Sequence, residues 1–262
     1  MTYIRQIDAF TKVPFSGNPA GVCILDEPAD ETWMQAVAAE MNVAETAFLW
    51  PLDSGFSLRW FTPTTEVDLC GHATLASAFA IWESGLLSTA ESPVFSTRSG
   101  ELRASWIDNR IVLDFPIEGP EDSIDPAPIS KVINVPVVEA SRNRFDFLAE
   151  VASETEVRGV VPDLQAIAGL GCRGLIVTAP SDNPEFDFVS RFFAPVVGID
   201  EDPVTGSAHC FLGPWWGQKL GKTEMVGYQA SDRGGIVGVE IHGDRVYLKG
   251  NAVTVFYGQL FG

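Results

Sequence analysis

Two short segments and one isolated glutamate carry the residue types that acid/base chemistry on a small molecule requires. The segments are Gly71-His-Ala-Thr74 and Asp202-Pro-Val-Thr-Gly-Ser-Ala208, and the glutamate is Glu45. Each segment places a glycine and small residues immediately before an apolar stretch that is typical of a helix. We therefore expect two helices that begin at these glycines. Their first N–H groups and the positive ends of their dipoles would be available to an anion.

Gly71 and Gly206 are predicted to bind the carboxylate of a substrate through the backbone. Glycine lets a ligand approach the main chain closely, and the small neighbours Ala73, Thr205 and Ala208 keep that approach open. A pseudo-twofold axis relating the two helices would bring both N-termini to one anion. The alternative is that both glycines are ordinary turn residues. That alternative would not require the acids and small residues that match in the two segments.

Glu45 is the candidate proton carrier. It lies among apolar residues between a predicted helix and a predicted strand. Such surroundings partly desolvate a carboxyl group and raise its pKa toward values useful for proton transfer. The corresponding place in the second half of the chain is near Cys172 and Arg173, where there is no acid, and either function or drift explains this asymmetry. The local sequence alone favours the commoner alternative, a surface glutamate.

Three further side chains complete the candidate catalytic set. His72 is predicted to be a second acid/base or a hydrogen-bond donor, and the alternative is a structural histidine at a helix cap. Asp202, which the following proline holds extended, would cap its helix, or orient a substrate hydroxyl or a partner histidine. Ser207 would donate a hydrogen bond, because it lacks the GxSxG context of a nucleophile. A thiol–imidazole pair of Cys70 and His72, as in a thiol hydrolase, is a further alternative that the intervening glycine disfavours.

These segments belong to an internal repeat at about half the chain length. Arg59-Trp-Phe-Thr-Pro63 matches Arg191-Phe-Phe-Ala-Pro195, and an acidic cluster follows each proline. Upstream, each copy has a predicted helix after an aspartate and then a predicted strand. The matching acids are Glu66 and Asp68 in the first copy and Asp200, Glu201 and Asp202 in the second, and the helices follow Asp30 and Asp163. We predict an α+β fold of two similar halves, each a mixed or antiparallel sheet around one apolar helix.

The two predicted domains are residues 1–116 and 128–251, joined by an acidic, turn-forming segment rich in proline. A β-rich run at residues 252–260 lies beyond what the second copy needs. We expect this C-terminal strand, within residues 252–262, to complete the sheet of the N-terminal half.

The composition excludes several classes of protein. The chain has 262 residues, of which 46% are apolar, and its formal charge is −18. So acidic a surface repels nucleic acid and anionic lipid, and no apolar run has the length of a membrane-spanning helix. The four cysteines form no CxxC pair, which favours reduced thiols in the cytoplasm. Because neither metal-ligand spacing nor a phosphate loop occurs, we expect no metal and no organic cofactor.

Several motifs, spread in order over nearly the whole chain, make the sequence similar to a known family. They are Phe15-Ser-Gly-Asn-Pro-Ala-Gly-Val22, Asn42-Val-Ala-Glu-Thr-Ala-Phe48, Arg59-Trp-Phe-Thr-Pro63, Glu66-Val-Asp-Leu-Cys-Gly-His-Ala-Thr-Leu-Ala76, Arg191-Phe-Phe-Ala-Pro195, Gly198-Ile-Asp-Glu-Asp-Pro-Val-Thr-Gly-Ser-Ala-His209 and Gly250-Asn-Ala-Val-Thr-Val255. With them the chain resembles the PhzF-like (phenazine-biosynthesis isomerase) family, which has the diaminopimelate epimerase-like fold. The resemblance implies two similar halves, each a mixed β-barrel-like sheet around a central helix, with the active site between them, and a homodimer.

The resemblance also implies a reaction. The catalytic glutamate of the family falls on Glu45, its supporting histidine on His72, and its aspartate and serine on Asp202 and Ser207. The best-understood relatives isomerise a dihydro-hydroxyanthranilate, taking a proton from one ring carbon and delivering it to another. We therefore expect a cofactor-independent biosynthetic isomerase that shifts a proton on a small, cyclic, hydroxylated carboxylate. The alternative is a metabolite-binding or regulatory protein that keeps the same cleft without catalysis.

Overall fold

Strands greatly outnumber helices in residues 2–261, the part of the chain that the computed structural model describes. The α-helices are α1 (Glu31–Met41), α2 (Gly71–Glu83), α3 (Pro126–Ile133), α4 (Glu154–Gly159), α5 (Leu164–Ala168) and α6 (Gly206–Leu220), with a 3-10 turn at Pro195–Val197. The strands are β1 (Tyr3–Ala9), β2 (Asn18–Ile24), β3 (Glu45–Pro51), β4 (Phe56–Phe61), β5 (Glu66–Val67), β6 (Val94–Thr97), β7 (Gly100–Ile107), β8 (Arg110–Pro116), β9 (Asp122–Ser123), β10 (Val137–Arg142), β11 (Asp146–Val151), β12 (Gly174–Pro180), β13 (Phe188–Phe193), β14 (Glu224–Gln229), β15 (Gly235–His242), β16 (Arg245–Gly250) and β17 (Ala252–Gln259). The predicted α+β class is therefore correct.

The chain forms two compact units. The N-terminal unit comprises Met1–Asp114 together with Lys249–Gly262, and the C-terminal unit comprises Phe115–Leu248. In the N-terminal unit, β17 pairs antiparallel with β1, with Tyr3 opposite Gln259 and Ala9 opposite Ala252. The end of the chain thus adds a strand to the sheet that its beginning starts.

The two units share one order of strand pairing, as the internal repeat predicts. In the N-terminal unit β1–β2 is antiparallel, β2–β3 parallel, β3–β4 antiparallel, β4–β6 parallel and β6–β7 antiparallel. In the C-terminal unit the pairs β10–β11, β11–β12, β12–β13, β13–β14 and β14–β15 alternate in the same way. Each unit is therefore a mixed sheet of the predicted kind.

One apolar helix is buried in each unit. Nearly every residue of α2 from His72 to Trp82 is buried, and so is most of α6 from Gly206 to Gly217. A helix that is apolar on all sides is stable only when the rest of the unit surrounds it. Both helices begin at the glycines that the sequence predicts. Because the helices are fixed on all sides, their first turns are rigid supports for a site.

An arginine–glutamate pair is duplicated together with the fold. The guanidinium of Arg59 donates two hydrogen bonds to Glu66, with N–O distances of 2.7 and 2.6 Å, and Arg191 donates two to Glu201, both of 2.7 Å. Each fork-shaped contact ties the end of a strand to the acidic segment that leads to the buried helix. The repeated motif and acidic cluster therefore fix the approach to α2 and to α6.

The predicted helices after Asp30 and Asp163 both form, but they differ in length. Asp30 accepts a hydrogen bond from the amide of Thr32 at the start of α1, and Asp163 accepts one from Ala166 at the start of α5. The second helix has only five residues, and Gly169 follows the last of them.

The four cysteines are free thiols, as predicted. Among the described residues, no helix combines the length and apolar character needed to cross a membrane.

Candidate active site

Glu45 and His72 approach each other at the start of α2 in the N-terminal unit. Glu45 is the first residue of β3 and lies opposite Ala20 of the parallel strand β2, while His72 is the second residue of α2. Glu45 Oε2 lies 3.2 Å from His72 Nε2. The side chains of Glu45 and His72 are 11% and 6% exposed. The surface-glutamate alternative for Glu45 is therefore wrong, since the tertiary fold buries the carboxylate against the imidazole.

Asn18 determines which nitrogen of His72 carries the proton. Its amide Nδ2 lies 3.2 Å from His72 Nδ1. An amide nitrogen only donates hydrogen bonds, so Nδ1 accepts and the neutral ring carries its proton on Nε2. That nitrogen is the one that faces Glu45 Oε2. The two atoms are in contact but not aligned as a hydrogen bond. A small rotation of either side chain would let His72 donate to an ionised Glu45.

Burial keeps this histidine neutral. Desolvation lowers the pKa of His72 to about 3, because the charged ring would lose its water. The proton-carrying role of Glu45 remains a prediction. Of the two roles predicted for His72, the geometry fits the hydrogen-bond donor better than the second acid/base.

Cys70 contacts the other edge of the same ring. Its Sγ lies 3.5 Å from His72 Nδ1, so the two residues meet despite the glycine between them. An imidazole whose pKa lies near 3 is a poor acceptor for a thiol proton, and it would not generate the thiolate that a nucleophile requires. The contact exists, but the chemistry of a thiol hydrolase does not follow from it.

Glu45, Cys70 and His72 also offer donor atoms within 4.8 Å of one another, a grouping that could hold a metal ion. The imidazole lies between the other two, with Nδ1 towards the thiol and Nε2 towards the carboxylate. A zinc ion uses one ring nitrogen and needs bonds of about 2.0–2.3 Å to each ligand. The thiol, ring and carboxylate would have to rearrange to share one ion, so the three side chains do not fit a metal as they stand.

A hydrogen-bonded turn positions Asp202 before α6 in the C-terminal unit. Thr205, the N-cap residue, donates from Oγ1 to Asp202 Oδ2 at 2.5 Å. Gln229 accepts from the Thr205 amide at 2.8 Å and donates to the Asp202 carbonyl at 2.7 Å. The Asp202 side chain is 8% exposed. The turn is fixed by buried polar contacts, so the carboxylate has a defined position.

Ser207, the second residue of α6, is linked to an ion pair between the buried Asp146 and the partly exposed Arg173. Arg173 donates from one terminal nitrogen to Ser207 Oγ at 3.0 Å. The same guanidinium contacts both oxygens of Asp146, at 2.9 and 2.5 Å. Asp146 is 1% exposed, and its burial raises the pKa of that carboxyl group although Arg173 opposes the shift.

The predicted backbone site occupies the first turns of the two helices. The first regular helical bonds run from the Thr74 amide to Cys70 and from the His209 amide to Thr205. The amides at 71–73 and at 206–208 precede these bonds, as at any helix N-terminus. The small residues Ala73 and Ala208 are buried. The proposed binding roles of Gly71, Ala73, Thr205, Gly206 and Ala208 remain predictions.

Sequence reasoning missed four side chains that define these contacts. Asn18 stands in a motif that carries the family resemblance, but no local pattern indicates its partner. Arg173 is noticeable in the sequence only because no acid stands there to correspond to Glu45. Asp146 and Gln229 carry no local signal. Their partners lie between 24 and 54 residues away along the chain, so only the fold brings them together.

This chain is similar to phenazine biosynthesis-like proteins and to proteins named as isomerases. A family model for phenazine biosynthesis-like proteins matches residues 7–258. A protein of Halalkalibacterium halodurans named as an uncharacterized isomerase is 50% identical, over 99% of this chain and 98% of its own length. A PhzF-family crystal structure from Enterococcus faecalis superimposes with a TM-score of 0.95 at 38% identity, covering all of both chains. A probable proline racemase from Agrobacterium radiobacter, covering 100% and 93%, has a TM-score of 0.65 at 12% identity, which shows the shared fold.

Proposed function

The chain belongs to the phenazine biosynthesis-like family and is an isomerase, and on that premise we propose that Glu45 moves a proton between two carbons of a small carboxylate. The Glu45 carboxylate takes the proton from an acidic C–H bond, and the electron pair of that bond shifts into the neighbouring π-system. The same carboxyl group then returns the proton to a second carbon. Atoms and electrons balance without a cofactor.

One observation carries this proposal: the buried contact of 3.2 Å between Glu45 Oε2 and His72 Nε2. With Asn18 Nδ2 next to Nδ1, the proposal places the ring proton on Nε2, the nitrogen that faces the carboxylate. A base that removes a proton from carbon must be positioned before the substrate arrives. The donor group on His72 provides that positioning without competing for the proton, because the ring stays neutral.

The C-terminal unit supplies the hydrogen-bonding groups in this proposal. Asp202, fixed by Thr205, would accept a hydrogen bond from a substrate hydroxyl or amine. Ser207 would donate to an oxygen of the substrate. The first-turn amides of α2 and α6 would bind its carboxylate, since helix N-termini favour anions. Such a set of groups suits a cyclic, hydroxylated carboxylate, and dihydro-hydroxyanthranilate, the substrate class of the best-understood relatives, is the first candidate. We also propose that the protein acts as a homodimer.

Solvent hydrogen exchange tests the reaction whatever the identity of its product. Purified protein in D₂O is incubated with dihydro-hydroxyanthranilate and with a panel of cyclic hydroxy acids and amino acids, and deuterium on carbon is followed by NMR and mass spectrometry. We expect deuterium, together with an isomerised product, for at least one member. A matched incubation with the Glu45→Gln protein should leave the compounds unlabelled. A wild type that neither labels nor isomerises any member would contradict the proposal.

The competing candidate is a metabolite-binding protein without catalysis. It predicts that a carboxylate raises the melting temperature while no C–H bond exchanges. The buried Glu45–His72 contact favours the enzyme, because binding alone does not require a carboxylate next to a neutral donor.

Alkylation of the thiols tests the remaining alternative, a thiol hydrolase. If Cys70 is modified in full and isomerisation persists, a nucleophilic thiol has no part in the reaction.

A further inference from the structure

An ion pair that the proposed reaction does not use contacts the first turn of α6. We propose that Arg173, held by Asp146, is a positioning residue that sets the orientation of the Ser207 hydroxyl. The inference rests on the proposed function, because it gives Ser207 its direction as a donor to the substrate. It concerns Arg173 and Asp146, to which the proposed reaction gives no role.

The contacts of Arg173 form one connected arrangement. Nε and one terminal nitrogen donate to the two carboxylate oxygens of Asp146, and the same terminal nitrogen donates to Ser207 Oγ at 3.0 Å. The guanidinium carbon also lies 5.2 Å from the centre of the Phe145 ring and 5.9 Å from that of Phe192. Two aromatic rings and a two-pronged ion pair restrict the plane of the guanidinium. Arg173 therefore offers Ser207 a donor in a fixed place.

Asp146 explains why the arginine stays in this orientation. Its side chain is 1% exposed, and it is the first residue of β11, directly opposite Gly174 of β12. Arg173 immediately precedes β12. A buried carboxylate needs a hydrogen-bonded cation, so the strand register places the two charges side by side. The pair is thus built into the sheet, and the serine is its third member.

The contact decides what Ser207 can donate. Because Arg173 donates to Oγ, one lone pair of the oxygen is occupied and the hydroxyl proton points away from the guanidinium. Arg173 donates and does not accept, so its contact does not use the hydroxyl proton of Ser207. That proton can therefore be donated to a substrate oxygen. This arrangement makes Ser207 a donor and leaves it without the base that a nucleophilic serine requires.

The repeat supports the assignment. Glu45 at the start of β3 contacts His72, the second residue of α2, and Arg173 just before β12 contacts Ser207, the second residue of α6. The first residue of β12, at the position that Glu45 has in β3, is Gly174, so Arg173 stands one residue earlier in its unit than Glu45 does. In both units a residue at the start of a strand contacts the second residue of the buried helix, with a carboxylate and an imidazole in one and a guanidinium and a hydroxyl in the other.

A double-mutant cycle tests the inference. Arg173→Gln/Asp146→Asn removes both charges but keeps an amide pair, which avoids a lone buried charge, and Ser207→Ala removes the hydroxyl. With the panel member that the wild type isomerises, each change alone should lower kcat/KM by about tenfold to a hundredfold, as expected for loss of one charge-assisted hydrogen bond. If Arg173 acts through Ser207, the combined variant should lose no more than Ser207→Ala alone.

The control removes an exposed arginine–aspartate pair of the same unit. Arg142→Gln/Asp122→Asn, whose N–O distance is 2.7 Å at the surface, should leave kcat/KM unchanged. Losses that multiply in the combined variant would overturn the inference while leaving the proposed function intact. Normal turnover in Ser207→Ala would instead remove that serine from the proposed function, and with it the inference. Near-ultraviolet circular dichroism of each variant establishes that the losses do not come from unfolding. If the Arg173→Gln/Asp146→Asn protein does not fold, Arg173→Lys replaces it in the cycle. Lysine keeps the ion pair with Asp146 but loses the two-pronged contact. The same comparison of the combined variant with Ser207→Ala then tests the inference.

Discussion

Replacement of Glu45 by glutamine separates proton transfer from every other role of that side chain. Glutamine has the same size, and its amide oxygen can accept a hydrogen bond from His72 Nε2, which lies 3.2 Å from the native carboxylate. The substitution keeps the volume of the buried side chain and removes a buried charge, so stability and ligand binding should change little. The variant loses only the ability to take up and release a proton. We expect turnover to fall by about a hundredfold to ten-thousandfold, the range for one general acid/base group, equivalent to about 2.7–5.4 kcal/mol in the barrier.

Glu45→Asp tests whether position matters as well as chemistry. Aspartate remains a base, but its carboxylate withdraws from the substrate and from His72 by about the length of one methylene group. A misplacement of about 1 Å can cost about a hundredfold in rate. We therefore expect Glu45→Asp to retain measurable turnover, reduced by about that factor, while Glu45→Gln falls at least as far.

The assay combines three measurements on the same compound. Isomerisation is followed by NMR, deuterium uptake by mass spectrometry, and binding by titration calorimetry. The matched control is Glu83→Gln, which changes a glutamate at the other end of α2, about 18 Å from its first turn at 1.5 Å per residue. Near-normal turnover in a folded Glu45→Gln protein would refute the assignment of Glu45 as the proton carrier.

Three other perturbations have defined outcomes. Gly206→Val puts a branched side chain at the first turn of α6 and should weaken carboxylate binding by at least about tenfold in calorimetry; an unchanged affinity in a folded variant would rule out the backbone site. Chelation of divalent ions should leave turnover unchanged, and loss of activity that a metal restores would instead point to Glu45, Cys70 and His72. Burial lowers the pKa of His72 to about 3 and that of His209 to about 4. The unfolded chain therefore binds these protons first, at about pH 6.5. Stability should be full above that pH and fall by up to about 1.4 kcal/mol per pH unit for each histidine as the pH drops towards 4. Urea unfolding should show a shallower pH dependence for His209→Gln, and an unchanged slope would contradict the burial argument.

Features that depend on neighbours in the chain could be predicted from the sequence. The helix starts at Gly71 and Gly206 follow from glycine, small residues and an apolar run, which are local signals. The repeat of Arg59 and Arg191 with a following acid predicted a shared fold, and the structure shows the same ion pair in both copies. Alternation along the strands indicated mixed or antiparallel sheets, because side-chain direction has a period of two residues. The pairing in the structure decides for mixed sheets.

The burial of Glu45 could not be predicted locally. Its flanking residues are compatible with a surface position, and the local pattern favoured that outcome. The parallel pairing of β2 with β3 and the position of α2 bury the carboxylate. These contacts join segments that are far apart in the chain, so no window around residue 45 contains them. The family resemblance identified the residue without giving the physical reason.

The sequence alone determined the class of fold, its duplication and the residue types available for chemistry, because these depend on composition, periodicity and local capping. Only the tertiary structure decided how those side chains are used. Asn18, 54 residues before His72, selects the tautomer that faces Glu45. Arg173, 34 residues before Ser207, donates a hydrogen bond to the serine oxygen. Hydrogen bonds act over about 3 Å, so the roles of these groups depend on distances that the order of residues does not contain.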